Sequence, residues 1–506
     1  MPAPCDDAKS HPRLRRDGFH WPALKRVIGT AGRDTGDVKV WFQHKRAFKI
    51  QFSSGFVVDF RNLCHLPLGG FLRRFRDNTG QLDRRRILPD YTDNNGRSFS
   101  VQKDLSTIAT GRDFCLFQQD VDARRSDIAK AVSGARILVV GGAGSIGSST
   151  VHELAAFAPS ALHIVDQNEN ELAELVRTLR SAEEPIAVAD LRTLPLDYGS
   201  AAFRAFMKAE GPYDLVLNFA AIKHVRSEKD GYSTLQMFDT NIVKQARLID
   251  VLKEVQFTGR YFSVSTDKAA NPTSLMGASK RVMEHVMFDA GLSEGLNCTV
   301  TSARFANVAF SNGSLLQSFE NRLKKFQPLA APEATRRYFV SLKESGQLCL
   351  LAATTAPHNH IMVPNLDPET ALVEMQQIAE KFLQAHGYTP AHYRDEQAAC
   401  ASVSAESRAQ RWPLLITSLS TSGEKPFEEF VGVGETRVDL GYETLSGVPY
   451  LPLVEAATMT SVLSRIQAMF ADATISKDEL KDIIALAEPA FLTSHKETGR
   501  NLDQRV

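Results

Sequence analysis

The chain carries no excess of either charge: 59 Lys and Arg stand against 59 Asp and Glu, a formal net charge of zero at pH 7. That removes any global argument for nucleic acid or an acidic membrane surface as a partner. Cysteine is sparse. The six (Cys5, Cys64, Cys115, Cys298, Cys349, Cys400) have no paired spacing, which speaks against a disulfide framework or a zinc site and fits a reducing cytosol. No apolar run approaches the ~18–20 residues that a membrane helix needs. The first residues, with Asp6, Asp7, Lys9 and Arg13, lack the apolar core of a signal peptide. Internal repeats and low-complexity tracts are also missing. The expectation is a cytoplasmic enzyme. At 506 residues, 43% hydrophobic and 23% charged, its composition is that of a globular protein of two or three domains.

Against those absences one segment stands out. Ile137-Leu138-Val139-Val140 is an apolar run of strand length. It leads into Gly141, Gly144 and Gly147, spaced three apart, and a helical pattern from Ser148 to Ala158 follows. One glycine serves the tight turn, one lets backbone amides approach a pyrophosphate, and one lets helix and strand pack closely. The helix start, at Ser145 and Ile146, would supply amides and a favourable dipole for phosphate. A second apolar strand, Ala161 to Val165, ends in Asp166, where an acid takes the adenosine ribose hydroxyls and favours NAD over NADP.

Three regions follow from pattern. Residues 1–110 form a basic, strand-rich accessory domain, with twenty Lys/Arg against eleven Asp/Glu up to Asp104. Its candidate strands are 38–42, 47–52 and 56–60; Arg73-Arg74-Phe75-Arg76 and Arg84-Arg85-Arg86 come next, and 90–97 reads as a linker. Interleaved Trp41, Phe42, Phe48 and Phe52 suit a small β core better than a base-stacking platform, so nucleic acid is not expected. Residues 111–310 alternate strand and helix, which predicts a Rossmann-type, doubly wound parallel sheet of the α/β class. The candidate strands there are 136–140, 161–165, 185–189, 214–219, 260–265 and 299–304, and the helices 167–180, 237–255 and 277–290. Residues 311–506 form a smaller C-terminal substrate-binding region with terminal helices. Within it, 392–410 reads as a surface insertion, and Ser476 to Glu479 has capping-box spacing before Leu480, Ile483 and Ile484.

Chemistry is carried by Ser263-Val264-Ser265-Thr266-Asp267-Lys268, at a strand's carboxyl end where open α/β sheets bind ligands. Two further segments join it, Asn271-Pro272-Thr273 to Met276-Gly277-Ala278-Ser279-Lys280, and Asn218-Phe219-Ala220-Ala221-Ile222-Lys223-His224-Val225. Together these resemble the extended short-chain dehydrogenase/reductase superfamily. More narrowly they are similar to its nucleotide-sugar 4,6-dehydratases, the polysaccharide-biosynthesis group acting on UDP-N-acetylglucosamine. The resemblance runs from about Phe114 to Tyr450.

It implies NAD as cofactor, a nucleotide sugar as substrate, no metal, a homo-oligomer, and a product for deoxyamino-sugar or surface-glycan synthesis. That superfamily's proton shuttle is Tyr-x-x-x-Lys, and Met276 stands in the tyrosine position while Lys280 remains. A thioether cannot move a catalytic proton. The same substitution marks one dehydratase branch that also carries Thr-Asp-Lys. By resemblance, Asp267 is the acid for the leaving 6-hydroxyl and Lys268 the base at C5, a role that needs it neutral, as burial near Lys280 or the oxidised nicotinamide would favour. Thr266 relays the 4-hydroxyl proton, and Lys280 holds the nicotinamide ribose. The resemblance also places Asp190 and Leu191 beside the adenine, after the third strand, and Ala220 and Ala221 in the cofactor cleft. Lys223, His224, Asn307 and Arg337 fall on the substrate side, and Asn241 shapes the catalytic helix. Two arginines of the family's pattern are missing, at Phe310-Ser311-Asn312-Gly313-Ser314 and at Thr421-Ser422-Gly423-Glu424-Lys425. A 4-epimerase of the same fold, or a silent NAD- or sugar-binding protein, stays open as an alternative.

Overall fold

A computed structural model describes residues 105–495, apart from 183–185, 293–295, 419–424, 426 and 472–474, and five short strands before them. The expected Arg73–Arg76 and Arg84–Arg86 runs, the side chains of Trp41, Phe42, Phe48 and Phe52, and the 421–424 segment lie outside the described residues. The chain divides into two compact units, Met1–Lys103 and Asp104–Val506.

In the first unit Lys39–His44, Ala47–Gln51 and Val57–Arg61 form an antiparallel meander. Tyr91–Thr92 pairs antiparallel with Ser98–Phe99 across the segment expected to be a linker.

The second unit is built on an eight-stranded sheet. Its strands are β1 Arg136–Val140, β2 Ala161–Asp166, β3 Asp190–Pro195, β4 Leu215–Asn218, β5 Arg260–Val264, β6 Thr299–Ala303, β7 His360–Pro364 and β8 Leu445–Pro449. Their spatial order is 3-2-1-4-5-6-7-8, parallel except for β8. The α/β doubly wound fold expected from the alternating pattern is therefore present. Strands buried on both faces read as continuous Val/Ile/Leu runs, and β1, with Ile137 to Val140 all buried, is one. Such sheets bind ligands beyond the carboxyl ends of their strands, at the point where strand order reverses. Here that point lies between β1 and β4.

Helices cover the faces: α1 Ser145–Ala155, α2 Glu169–Arg180, α3 Ala201–Glu210, α4 Gly231–Phe238, α5 Lys244–Glu254, α6 Leu275–Leu292 and α7 Leu342–Thr354. The expected 237–255 helix starts earlier, at Gly231, where Asp230 caps it through Ser233 N at 2.7 Å. A π-turn, Asp239–Val243, joins α4 to α5. Helix α6 is buried from Leu275 to Phe288, packed against α5 and against two C-terminal helices, α8 Ala456–Ala468 and α9 Lys477–Ala487. Ser476 caps α9, accepting from Glu479 N, and Leu480, Ile483 and Ile484 are buried as the spacing predicts.

Two expectations need correcting. The third strand is not 185–189 but Asp190–Pro195. An edge strand buries little, so its polar sequence gives a weaker signal than the apolar run just before it. Nor is 392–410 an insertion. Thr389–Tyr393 pairs in parallel with Arg411–Thr417, and Glu396–Arg408 is a helix capped by Asp395 that buries Ala399 and Val403. With Leu329–Pro332 these elements make a small parallel sheet whose core includes Phe319, Phe382 and Trp412. No helix among the described residues is long and apolar enough to cross a membrane.

Candidate active site

A pocket of about 480 Å³ opens at the carboxyl ends of the central strands. One wall is the turn after β1. Gly141 has φ +70°, and a Cβ there would stand 2.5 Å from Ala220 N; at Gly147 it would stand 2.4 Å from the Gly141 carbonyl. Both positions therefore require glycine. No side chain caps α1 at Gly144, so the amides at the start of this eleven-residue helix remain available to a phosphate. Gly141, Gly144, Ser145, Ile146 and Gly147 all line the pocket. Asp166 ends β2 beside this turn, its Oδ2 accepting from Ala143 N at 3.1 Å. Ala221 lines the pocket and Ala220 backs onto Gly141. These residues form a cradle that fits a dinucleotide.

Asp190 and Leu191 do not join it. Asp190 opens β3 instead of following it, at the strand end away from the crevice. Its carboxylate meets His163 Nε2 at 3.0 Å and Arg192 Nε at 2.8 Å, and Leu191 pairs with Leu162 along β2. The acid that follows β3 is Asp197, bound to Lys244 Nζ at 2.6 Å.

The opposite wall carries the Thr-Asp-Lys run, which leaves β5 in a single 3₁₀ turn, Asp267–Ala269. Asp267 is 1% exposed. Its Oδ1 accepts from the Thr266 hydroxyl at 2.7 Å, from Lys268 N at 2.9 Å and from Lys268 Nζ at 3.1 Å. Its Oδ2 is buried with no hydrogen-bond partner among the described residues. Burial pushes the Lys268 amine down, but Asp267 and then Glu428 more than offset this and hold it above its ordinary value. Two carboxylates facing the same ammonium thus oppose the neutral form that a base at C5 needs.

Met276 and Lys280 lie one helical turn apart on α6 and both line the pocket. Met276 N donates to Glu228 Oε1 at 2.9 Å. Lys280 Nζ lies 3.1 Å from Met283 Sδ, and burial pushes its pKa down to about 8. Asn241, in the π-turn, ties the loop after β4 to α6. It accepts from Ile222 N at 2.9 Å and donates to Ser279 Oγ at 2.9 Å.

On the far side Lys223, His224, Asn307 and Arg337 line the same cavity. Asn307 donates to the Tyr338 carbonyl at 3.3 Å, and Arg337 to the Lys425 carbonyl at 3.1 Å. The altered Ser311–Ser314 loop reaches back across the pocket, with Asn312 N donating to Ser145 Oγ at 2.8 Å. Gly313, at φ +74°, has its open side against the His224 ring.

Below the pocket lies a buried ionic cluster. Arg304 bonds both Glu284 oxygens, at 2.8 and 2.6 Å, and reaches Glu435. Ser265 donates to Glu284 at 2.5 Å. Sequence reasoning missed Glu428, which is 5% exposed and 4.0 Å from Lys268 Nζ. It sits in Lys425-Pro426-Phe427-Glu428-Glu429, which reads as a solvated charge run and gives no local signal. No group of His, Cys, Asp and Glu among the described residues could hold a metal. The arrangement offers a dinucleotide cradle, a buried carboxylate with one oxygen unpartnered among the described residues, and two lysines around one cavity whose proton affinities are shifted in opposite directions.

A family described as polysaccharide biosynthesis protein matches residues 137–443. An uncharacterized membrane protein of Methanocaldococcus jannaschii is 31% identical over 52% of this chain and 76% of its own length. The probable polysaccharide biosynthesis protein EpsC of Bacillus subtilis is 24% identical over 64% of this chain, which spans only 49% of that protein. Similarity extends to a UDP-N-acetylglucosamine 4,6-dehydratase (inverting) of Campylobacter jejuni, 27% identical over 46% of this chain and 68% of its own. It extends also to a UDP-glucose 4-epimerase of Rickettsia canadensis, 24% identical over 49% of this chain and 70% of its own. Among solved structures, Pen from Bacillus thuringiensis covers 71% of this chain and 98% of its own at 21% identity and a TM-score of 0.52, a likeness of fold.

Proposed function

This chain belongs to the polysaccharide biosynthesis protein family, and on that premise we propose that it is an NAD-dependent 4,6-dehydratase of a nucleotide sugar, UDP-N-acetylglucosamine foremost. The product is a 4-keto-6-deoxy sugar for deoxyamino-sugar or surface-glycan synthesis, made in the cytoplasm. The observation that carries this reading is the Asp267 carboxyl, bridging Thr266 and Lys268 through one oxygen with the other left unpartnered.

Removal of water across C5 and C6 needs an acid and a base side by side, and Asp267 and Lys268 are that pair. NAD, when bound, would supply reversible hydride exchange between C4 and C6. Thr266 Oγ1 already donates to Asp267 Oδ1, so it can accept the 4-hydroxyl proton and hand its own to Asp267. Asp267 then gives that proton to the 6-hydroxyl, which leaves as water. Lys268, in its neutral form, removes the C5 proton, and its ammonium, whose three protons exchange with solvent, later returns one to C5. Each proton taken up by a side chain is delivered again, and the site ends as it began. Lys280 holds the nicotinamide ribose, and its ammonium, weakened by burial, stabilises negative charge developing at O4. Met276 contributes shape, since a thioether moves no proton. Lys223, His224, Asn307 and Arg337 hold the nucleotide sugar, with the Arg337 guanidinium suited to the diphosphate.

A 4-epimerase is the second reading, supported by the relative of that name. It gives Asp267 and Lys268 no work at C5 and C6. Mass spectrometry after incubation in heavy water with UDP-N-acetylglucosamine, then other UDP- and GDP-sugars, separates the two. The dehydratase yields a product lighter by one water with deuterium at C5. A product of unchanged mass with inverted C4 would make the enzyme an epimerase, and unchanged sugars across the panel would leave a binding protein.

A further inference from the structure

The second carboxylate on Lys268 comes from a segment far along the chain that is pinned over the catalytic turn. Lys425 Nζ donates to the Asn271 carbonyl. Asn271 Nδ2 donates to Glu429 Oε2 at 2.7 Å, and Val433 N to Asn271 Oδ1 at 2.9 Å. Gly432 presses on the turn so closely that a Cβ there would stand 2.2 Å from the Ala270 carbonyl. Beyond it, Glu435 accepts from Gly432 N at 2.7 Å and binds the buried Arg281 and Arg304. Glu428 falls between these anchors. Its Oε1 lies 4.0 Å from Lys268 Nζ and its Oε2 3.9 Å from Lys425 Nζ.

We propose that Glu428 is a positioning residue for the Lys268 amine, sharing its ammonium with Asp267 and holding it in place and in the charged form in the free enzyme. This deepens the dehydratase reading and rests on it for the role of Lys268. An ammonium has three protons, and one of them is taken by Asp267 Oδ1 at 3.1 Å. A second buried carboxylate 4.0 Å away attracts the cation electrostatically and limits the rotation of a flexible stem. The charged groups around the pair are Asp267, Glu428 and Arg337 for Lys268, and Lys268, Asp267, Arg337 and Lys425 for Glu428. Burial favours the neutral form of both partners and their mutual attraction opposes it; attraction prevails at Lys268, whereas at Glu428 burial prevails and holds the carboxyl above its ordinary value. The arrangement also links the two proton transfers. When Asp267 takes the proton arriving through Thr266, it stops countering the Lys268 charge, and Glu428 alone remains to hold it. The ammonium gives up a proton most easily at that stage, when a base is needed, and Glu428 Oε1, 4.0 Å away, is the carboxylate left to accept it and return it at the end of the cycle.

The test reads Lys268 directly, without turnover. Full-length protein with NAD is labelled with ¹³Cε-lysine, and its Lys268 signal, assigned by its disappearance in K268R, is followed from pH 7 to 11. In E428Q the amide keeps the shape and removes the charge, so Lys268 should begin to lose its proton about one pH unit or more below wild type. E428D, which restores a carboxylate, should move it back toward wild type. Titration of Lys268 at the same pH in E428Q and wild type overturns the proposal, as does an upward shift. Should E428Q misfold, E428A decides in its place: it removes the same carboxylate, and titration of Lys268 at the wild-type pH in that variant overturns the proposal. If the titration shifts but no sugar is dehydrated by wild type, the Glu428 pairing stands and the dehydratase reading falls. Where dehydration occurs, the low-pH limb of kcat/KM should move down in E428Q by the same interval, which a purely structural role would not produce.

Discussion

Gly277 lies on the carbonyl of Lys268, so close that a Cβ at Gly277 would stand 2.5 Å from that oxygen. The catalytic turn is thereby seated on the first turn of α6, and Lys268 and Lys280 share one pocket because no side chain intervenes. Gly277→Ala must push turn and helix apart. Overpacking of this kind costs about 1–3 kcal/mol, and it displaces the reacting groups more than the cofactor cradle. The expected result is a lowered thermal midpoint and a kcat reduced more than NAD affinity. An alanine variant with wild-type kcat would show that the turn adjusts freely.

Asp267→Asn removes the proton that the 6-hydroxyl needs and the charge that holds Lys268, while conserving volume. Loss of a positioned acid costs roughly 10²–10⁴ in rate. Dehydration should fall by that factor with the NAD content of the purified protein unchanged, because Asp267 lies across the pocket from the glycine turn. Dehydration at the wild-type rate would remove Asp267 from the mechanism.

Arg304 is fully buried and bonds both oxygens of Glu284. Burial would raise the Glu435 carboxyl, but Arg304 and Arg281 hold it at about 2. A carboxylate depressed in the folded state adds stability above its unfolded value of about 4.3, lost as pH falls toward 2. Arg304→Met leaves two buried carboxylates short of a partner, for which about 3–5 kcal/mol is expected. The acid-unfolding midpoint, followed by circular dichroism, should move to higher pH. An unmoved midpoint would mean that Arg281 alone suffices for Glu435.

Local features of the site were legible in the sequence, and distant ones were not. The glycine turn, Asp166 and the Thr-Asp-Lys run each occupy one short stretch whose residue types are dictated by one strand end, so order and spacing locate them. Asp190 was misplaced because β3 is an edge strand, half-buried and polar, preceded by the more apolar Ile186-Ala187-Val188-Ala189. Glu396–Arg408 was misread because only Ala399 and Val403 are buried, too small a stripe to signal a packed helix. Glu428 could not be found at all. Its meaning comes from a contact between segments that only the folded chain brings together, and a buried carboxylate has the same letter as a solvated one.

Lys280 gives the clearest test of what the site costs the fold. Its pKa is pushed from an ordinary 10.5 down to about 8 by burial. Below pH 8 the amine is protonated in both folded and unfolded chains, and the folded state bears the full desolvation cost. Between 8 and 10.5 the unfolded chain holds the proton and the folded chain does not, so stability rises with pH across that window. The difference amounts to about 3 kcal/mol at ~1.4 kcal/mol per unit. Lys280→Met replaces the amine with an apolar side chain of similar length and removes the cost. In NAD-free protein the variant should therefore unfold at a higher temperature than wild type at pH 6.5, with the gap narrowing toward pH 9.5, while dehydration is lost. A gap of constant size at both pH values would mean that the Lys280 ammonium is as well solvated in the pocket as in water. That would leave no weakened ammonium at O4, and charge stabilisation there would have to come from another group lining the cavity.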